Sequence, residues 1–504
     1  MISIRVLAYL NQETIRGMTY PEGCEWTFDP SLEKLEGERE EYDVCLVGHP
    51  LTDRECDLLM SRVRAYSLFF LSDLTMTDKM QHLLQCRVGT MLSSEDLENF
   101  LEEDLRDYFH KPYGQKVSLS SLEISPFFQG RIHWEGMTEC QLEGDFGDDL
   151  QQLAFWRMNM PLYSDQPLEI WFEYDRSESA EIVLEVELYA GDEEASLLDQ
   201  WTLSEEDLKS PYVLESMNSG YLFFHLKARG KGRISIISLH IRFSRHKKGL
   251  FLPGGQRFVT KGKEEFFYYF DPGDCKPPLS VYFSGYRTQE GFEGYYMLRK
   301  LGCPFLLISD PRLEGGAFYL GDQEYEEGIL SVIDHYLDFL GFDPKNLILS
   351  GMSMGTFGAL YYGTYLRPAY IILAKPLENL GAIAQAERLE RPGGFPTSLD
   401  VQWKRMHSLS RKDSDEMDQS FWKRFSSADW SKTTFSVAYK IEDDYDRSGY
   451  QDLLLHLRSN GVRLIGQGRH GRHNDNSGES ISFFLRQYRM ILRKRYGRKG
   501  LDLS

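Results

Sequence analysis

Residues 346–361 read NLILSGMSMGTFGALY. Asn346 to Ser350 form a short apolar strand, and Gly351-Met352-Ser353-Met354-Gly355 is a G-x-S-x-G sequence. The run that follows, with Phe357, Ala359 and Leu360, is compatible with a helix. Strand, sharp turn and helix in that order are the setting of a nucleophile elbow. A side chain at 351 or 355 would crowd a tight turn whose central residue is strained. The strain lifts the Ser353 hydroxyl clear of the sheet. The Met354 N–H, at the helix start, then points where an oxyanion would form. An ordinary glycine-bounded turn with a buried serine is the competing reading, and the flanking strand and helix weigh against it.

A serine needs a base to act as a nucleophile, and hydrolases place acid and then histidine after it in the chain. Downstream, the strand Thr433–Tyr439 runs into Lys440-Ile441-Glu442-Asp443-Asp444-Tyr445-Asp446. Acids therefore crowd the carboxyl end of a strand, where open α/β sheets bind ligands. An amphipathic helix, Tyr450 to Leu457, leads to a second strand, Val462–Gly466, and to the loop Gln467-Gly468-Arg469-His470-Gly471-Arg472-His473-Asn474-Asp475-Asn476. The order strand, acid loop, helix, strand, histidine loop, helix fits a late hydrolase core, with the base drawn from His470 or His473. These two also form H-x-x-H beside Asp475, but a zinc site needs further ligands and none is legible, so no metal is expected.

Composition sets the outer bounds. At 504 residues the chain has room for about two or three domains. A formal net charge of −20 argues against nucleic acid as the main partner. Seven cysteines, scattered and without a C-x-x-C pair, read as a reduced, cytoplasmic chain. The N-terminus lacks the pattern of a signal peptide, and no apolar run approaches the ~20 residues of a spanning helix. A soluble protein is expected. Arg489, Arg493, Lys494, Arg495 and Arg498 gather near the C-terminus. They serve either a helix dipole or contact with an anionic membrane surface or acidic partner.

Pattern changes divide the chain into three. Residues 1–115 alternate strands such as Asp43–Gly48 and Ser67–Leu71 with the helix Asp53–Val63, an α/β (Rossmann-like) scaffold region. It has no G-x-G-x-x-G, so no bound cofactor is expected. Residues 116–248 switch to period two, which predicts a β-sandwich. Trp134, Trp156, Trp171 and Trp201 fall there, either in the core or exposed as sugar-stacking platforms in a carbohydrate-binding module. Residues 249–504 form an α/β-hydrolase-like catalytic domain. Its early strand Leu279–Phe283 ends in Ser284-Gly285-Tyr286-Arg287. The loop there should supply a second oxyanion donor, the backbone N–H of Gly285 or Tyr286. Arg287 reads as a substrate contact or as an ion-pair residue. Residues 376–430 sit where hydrolases insert caps.

SGMSMG around Ser353, the acid loop EDDYD at 442–446, GRHNDN at 471–476 and SGYR at 284–287 carry a resemblance. They resemble the accessory Sec secretion proteins of Gram-positive cocci, specifically the hydrolase-like Asp component, second of its set. The resemblance extends over the whole chain. It implies a triad of Ser353, Asp443 and His473. Some relatives carry Glu at the acid position, so Glu442, Asp444 and Asp446 compete with Asp443. It further implies O-acetylation of N-acetylglucosamine on serine-rich-repeat glycoprotein adhesins, with the acetyl donor left open. A second implied role is export of those adhesins, with the other accessory secretory Asp proteins and the accessory SecA-type motor. A carbohydrate esterase and a non-catalytic export adaptor are the alternatives.

Overall fold

The computed structural model describes residues 3–37, 41–109, 113–458 and 461–498. Lys499 to Ser504, the end of the expected catalytic domain, lie outside the described residues. The protein is α/β, built on three sheets.

The first sheet has five parallel strands, in the order Cys24–Phe28, Ile4–Tyr9, Val44–Val47, Leu68–Leu71 and Thr90–Leu92. VCLV and LFFL are buried throughout, as parallel strands covered on both faces require. The helix Asp53–Arg62 between them starts at a capping box of Thr52 and Glu55.

The second sheet is antiparallel. The period-two pattern predicts its strands, yet they belong to one hydrogen-bonded set of 11 rather than two separate sheets. Two very long strands explain this. Glu139–Trp156 spans 18 residues and Gly220–Phe243 spans 24, and the pair runs together with three register shifts. Bulges of this kind bend and twist a strand, so one sheet curls over its own core.

The third sheet is mixed and has eight strands. Their order is Gln256–Val259, Glu265–Asp271, Phe305–Ser309, Leu279–Phe283, Leu347–Met352, Tyr370–Ala374, Thr434–Lys440 and Arg463–Arg469. Glu265–Asp271 pairs antiparallel with both of its neighbours, and every pairing from Phe305–Ser309 onward is parallel. A central strand of this sheet, Leu347–Met352, runs directly into a buried helix, Met354–Leu366. That helix is buried along most of its length, with Tyr365 exposed near its end.

The chain divides into two compact units. One comprises Phe109–Leu252 and Thr288–Gly291 and holds the curled sheet. The other holds both remaining sheets, from Ile4–Tyr108, Pro253–Arg287 and Phe292 onward. Within this second unit, Arg87 donates to Asp271 Oδ1 (3.2 Å) and to the Gly273 carbonyl. Arg299 bridges Asp271 Oδ2 (3.4 Å) to Glu41 Oε1 (2.8 Å), and Arg64 reaches Glu41 (3.2 Å) and Asp43 (3.0 Å). Through Asp271, Arg87 and Arg299 join the part of the chain that holds the parallel sheet to the mixed sheet.

Candidate active site

Ser353 stands between strand and helix with φ 51° and ψ −123°, a backbone conformation that costs a non-glycine residue about 1–3 kcal/mol. Its N–H donates to the Ala374 carbonyl on the next strand (2.9 Å), which anchors the turn. A Cβ at Gly351 would overlap the Gly355 carbonyl, and one at Gly355 would overlap the Phe283 carbonyl. Both positions therefore admit only glycine.

The Ser353 hydroxyl donates to His473 Nε2 at 2.8 Å. His473 Nδ1–H donates to Asp443 Oδ2 at 2.9 Å. Both partners are buried. A carboxylate on Nδ1 selects the tautomer whose free Nε2 lone pair faces the serine.

The four competing acids have different jobs. Asp443 Oδ1 also accepts from the N–H of Tyr445 (2.9 Å) and of Asp446 (3.3 Å), so its carboxylate is held in one orientation. Asp444 accepts from the His473 backbone N–H (3.0 Å) and pairs with Arg391 (3.2 Å), fixing the histidine loop. Asp446 points away and accepts from Glu378 N, Asn379 N and Asn379 Nδ2 at 2.8, 2.8 and 2.9 Å. Glu442 lies outside and meets His470 (2.7 Å) and Gly471 N (2.6 Å). His470 is thus an exposed partner of Glu442, whereas His473 alone turns inward.

Several neighbours were not legible as site residues. The Tyr445 ring stacks on the His473 imidazole at 4.4 Å and 6°, with Arg391 over the Tyr445 ring at 4.2 Å. Phe395, between the strands Tyr370–Ala374 and Thr434–Lys440, stacks against Tyr445 (5.5 Å, 7°) and meets Tyr286 edge-on (5.3 Å, 82°). Lys375, one residue beyond the strand Tyr370–Ala374, is buried and donates to Ser477 Oγ (3.2 Å). Burial lowers its ammonium below the usual lysine range, while Asp443 pulls the other way. For Tyr445 the only signal in the sequence was its place among the acids.

On the oxyanion side, Met354 is the first residue of its helix, so its N–H is among those without an intrahelical acceptor. The expectation for Gly285 needs correction. Its N–H donates to Glu293 Oε2 at 2.6 Å and is therefore taken, by a carboxylate eight residues along the chain. Tyr286 is the remaining candidate of the pair. Arg287 is half-buried, and its N–H donates to the Gly315 carbonyl (3.1 Å). Among the described residues its guanidinium makes no ion pair, so the ion-pair reading is not met.

Of the four tryptophans in the curled sheet, Trp156 and Trp171 are buried and Trp201 packs against the core. Trp134 is 42% exposed. At the C-terminus, Arg493, Lys494 and Arg495 are exposed on the helix Ser477–Tyr496, while Arg498 is pinned to Asp274 (2.9 Å). Among the described residues, no helix is long and apolar enough to cross a membrane.

Comparison with known proteins gives a consistent set of relatives. Residues 8–498 match the family model described as Accessory Sec system GspB-transporter. The chain is 41% identical to the second accessory Sec system Asp protein of Streptococcus gordonii over 443 residues, covering 88% of this chain and 87% of that one. It is 43% identical to the corresponding protein of Staphylococcus aureus (strain NCTC 8325 / PS 47) over 391 residues, covering 77% and 75%. A solved structure, the Glycosylation Associate Protein (Gap123) complex from Streptococcus agalactiae, matches with a TM-score of 0.86 at 36% identity, covering 99% of this chain and 100% of that one.

Proposed function

The chain belongs to the accessory Sec system GspB-transporter family, and we propose that it is a Ser-His-Asp O-acetyltransferase with a second role in export. The observation that carries this reading is the hydrogen-bonded line Ser353–His473–Asp443 at 2.8 and 2.9 Å, built on a strained elbow. The mixed sheet is read as an α/β-hydrolase core and the curled sheet as a sandwich-like module.

The chemistry follows from the geometry. As Ser353 Oγ attacks an acetyl carbonyl, its proton passes to His473 Nε2. Asp443 stabilises the imidazolium that forms. In this reading the N–H groups of Met354 and Tyr286 are the donors that would stabilise the developing oxyanion. His473 then protonates the leaving group, and an acetyl-Ser353 ester remains. A sugar hydroxyl, deprotonated by the same histidine, resolves the ester. N-acetylglucosamine on a serine-rich-repeat glycoprotein is the acceptor we assign. Tyr286 and Arg287 lie on the loop beside the elbow, where an acceptor would rest. Trp134 is the aromatic through which the curled sheet would meet sugar.

The relatives' names place them in accessory secretion, and the matched structure is of a complex. We extend to this chain an assembly with the other accessory Asp proteins and the SecA-type motor. Docking uses broad surface, whereas acetylation uses three side chains. Ser353→Ala cells should therefore export the adhesin without O-acetyl groups, and deletion of the protein should sharply reduce export. Secreted adhesin quantity and glycan mass in the three strains test this. Acetylated glycans from the Ser353→Ala strain would end the transferase reading. Hydrolysis of acetyl esters with no transfer to N-acetylglucosamine would favour the esterase.

A further inference from the structure

Cys86 ends the helix Asp78–Cys86, in the part of the chain that carries the parallel sheet. Cys275 lies in the turn after the strand Glu265–Asp271 of the mixed sheet. Both are in the same compact unit. Although 189 residues apart in sequence, their Sγ atoms are 2.7 Å apart. The surrounding backbone is held on both sides. Arg87, next to Cys86, is buried and bonds Asp271 and the Gly273 carbonyl. The Cys275 N–H donates to the Pro272 carbonyl (2.8 Å), and Cys275 itself has φ 57°. Cys86 is buried and Cys275 half-exposed, so a reagent reaches the pair through Cys275. His82, one turn before Cys86, places Nε2 3.6 Å from the Cys86 sulfur.

We propose that Cys86 and Cys275 form a site of reversible disulfide modification that ties the parallel sheet covalently to the mixed sheet. The acetyl-transfer chemistry does not use either residue. The hydrogen bond from Cys86 lowers the Cys275 thiol below the usual cysteine range, and the same bond raises Cys86. Cys275 is therefore the attacking sulfur. The oxidant is a low-molecular-weight disulfide. The Cys275 thiolate attacks one of its sulfurs, forming a mixed disulfide and releasing one thiolate. Cys86 gives its proton to His82, and its sulfur attacks the Cys275 sulfur, displacing the second thiolate. Two protein thiols are oxidised as one small disulfide is reduced to two thiols.

The test uses the full chain and oxidised glutathione, followed by alkylation, intact mass and peptide mapping. In the folded protein, free thiols should fall by two and a Cys86–Cys275 cross-linked peptide should appear, reversibly on reduction. The oxidised form should melt at a higher temperature. Cys86→Ser should retain a glutathione adduct on Cys275, whereas Cys275→Ser should leave Cys86 unmodified. An unchanged thiol count in the folded protein would overturn the proposal. So would equal glutathione adducts on the two single variants, because the geometry requires Cys275 to react first.

Discussion

Two groups of buried carboxylates in the same compact unit keep opposite electrostatic company. At the joint between the parallel and mixed sheets, burial alone would raise Asp271. Arg87 and Arg299 overcome it and hold the carboxyl below its usual range. Near Asp443 the balance reverses. Glu378 is fully buried, with neither carboxylate oxygen hydrogen-bonded among the described residues. Burial raises it, and Asp446, Asp452 and Asp443 add repulsion. Burial also raises Asp446, and it pushes Asp418 up to about 7 despite N–H donors from Gly381 (2.7 Å) and Ala382 (2.9 Å). The joint is closed by cations of its own. Glu378, Asp446 and Asp418, by contrast, are acids that favour a proton. One region is made to stay shut, and the other tolerates strain and repulsion around a reactive group.

The largest contrast is in chemistry. Ser353→Ala should lower acetyl transfer by about 10⁴–10⁶-fold. Arg87→Met should leave the rate per folded molecule unchanged. Single-turnover release from an activated acetyl ester measures both, and a Ser353→Ala enzyme at wild-type rate would remove the contrast. Next is the acid. Asp443→Asn should cost about 10⁴-fold, because the amide selects the wrong histidine tautomer. Glu442→Gln should change little, since its partners are His470 and Gly471. Equal losses in the two variants would contradict the assignment of separate jobs to the acids.

Stability should show the reverse ranking. Arg87→Met leaves Asp271 buried with one cation fewer and should cost about 3–5 kcal/mol in urea unfolding. The two regions should also titrate in opposite senses. The stability from Asp271, whose carboxyl is lowered, is present above the ordinary aspartate range and is lost as pH falls through its folded value. Asp418 runs the other way. Between the ordinary aspartate range and its folded value of about 7 the folded state binds more proton, so its contribution declines as pH rises through that window. Asp418→Asn should flatten this decline by about 2 kcal/mol, allowing for partial solvent access. Urea melts at pH 5 and about pH 8 compare the two; an unchanged slope would refute the raised value. The smallest effect is at the elbow itself. Ser353→Gly should stabilise the chain by about 1 kcal/mol, because glycine adopts the strained conformation freely. A lower melting temperature in that variant would place the strain elsewhere.

The elbow was legible because it is local. Strand, G-x-S-x-G and helix lie within sixteen consecutive residues, and the two glycines report their own steric need. The acid and histidine loops were legible as loops, from their order along the chain. Which acid meets His473 was not, since Glu442, Asp443, Asp444 and Asp446 share one loop and differ only in the N–H groups and side chains they face. Gly285 misled for the same reason. Its place after an early strand is right for a donor, but Glu293 returns to take the N–H. In the middle of the chain, alternation identified strands but not their partners. Period two reports which face is buried, and a single curled sheet and a two-sheet sandwich bury faces alike.

What depends on near neighbours was written along the chain: strand and helix periods, the glycine-bounded turn, the order of serine, acids and histidines, and the acidic balance. What depends on approach from afar came from the packing of the folded chain. It brought His473 to Ser353 across 120 residues and stacked Tyr445 on the imidazole. It also set Cys86 against Cys275 across 189. The physical reason is one of range. Backbone sterics and side-chain periodicity act over a few residues and are written in local sequence. Hydrogen bonds, ion pairs and thiol contacts require specific atoms within about 3–4 Å, and the packing of whole sheets brings them there.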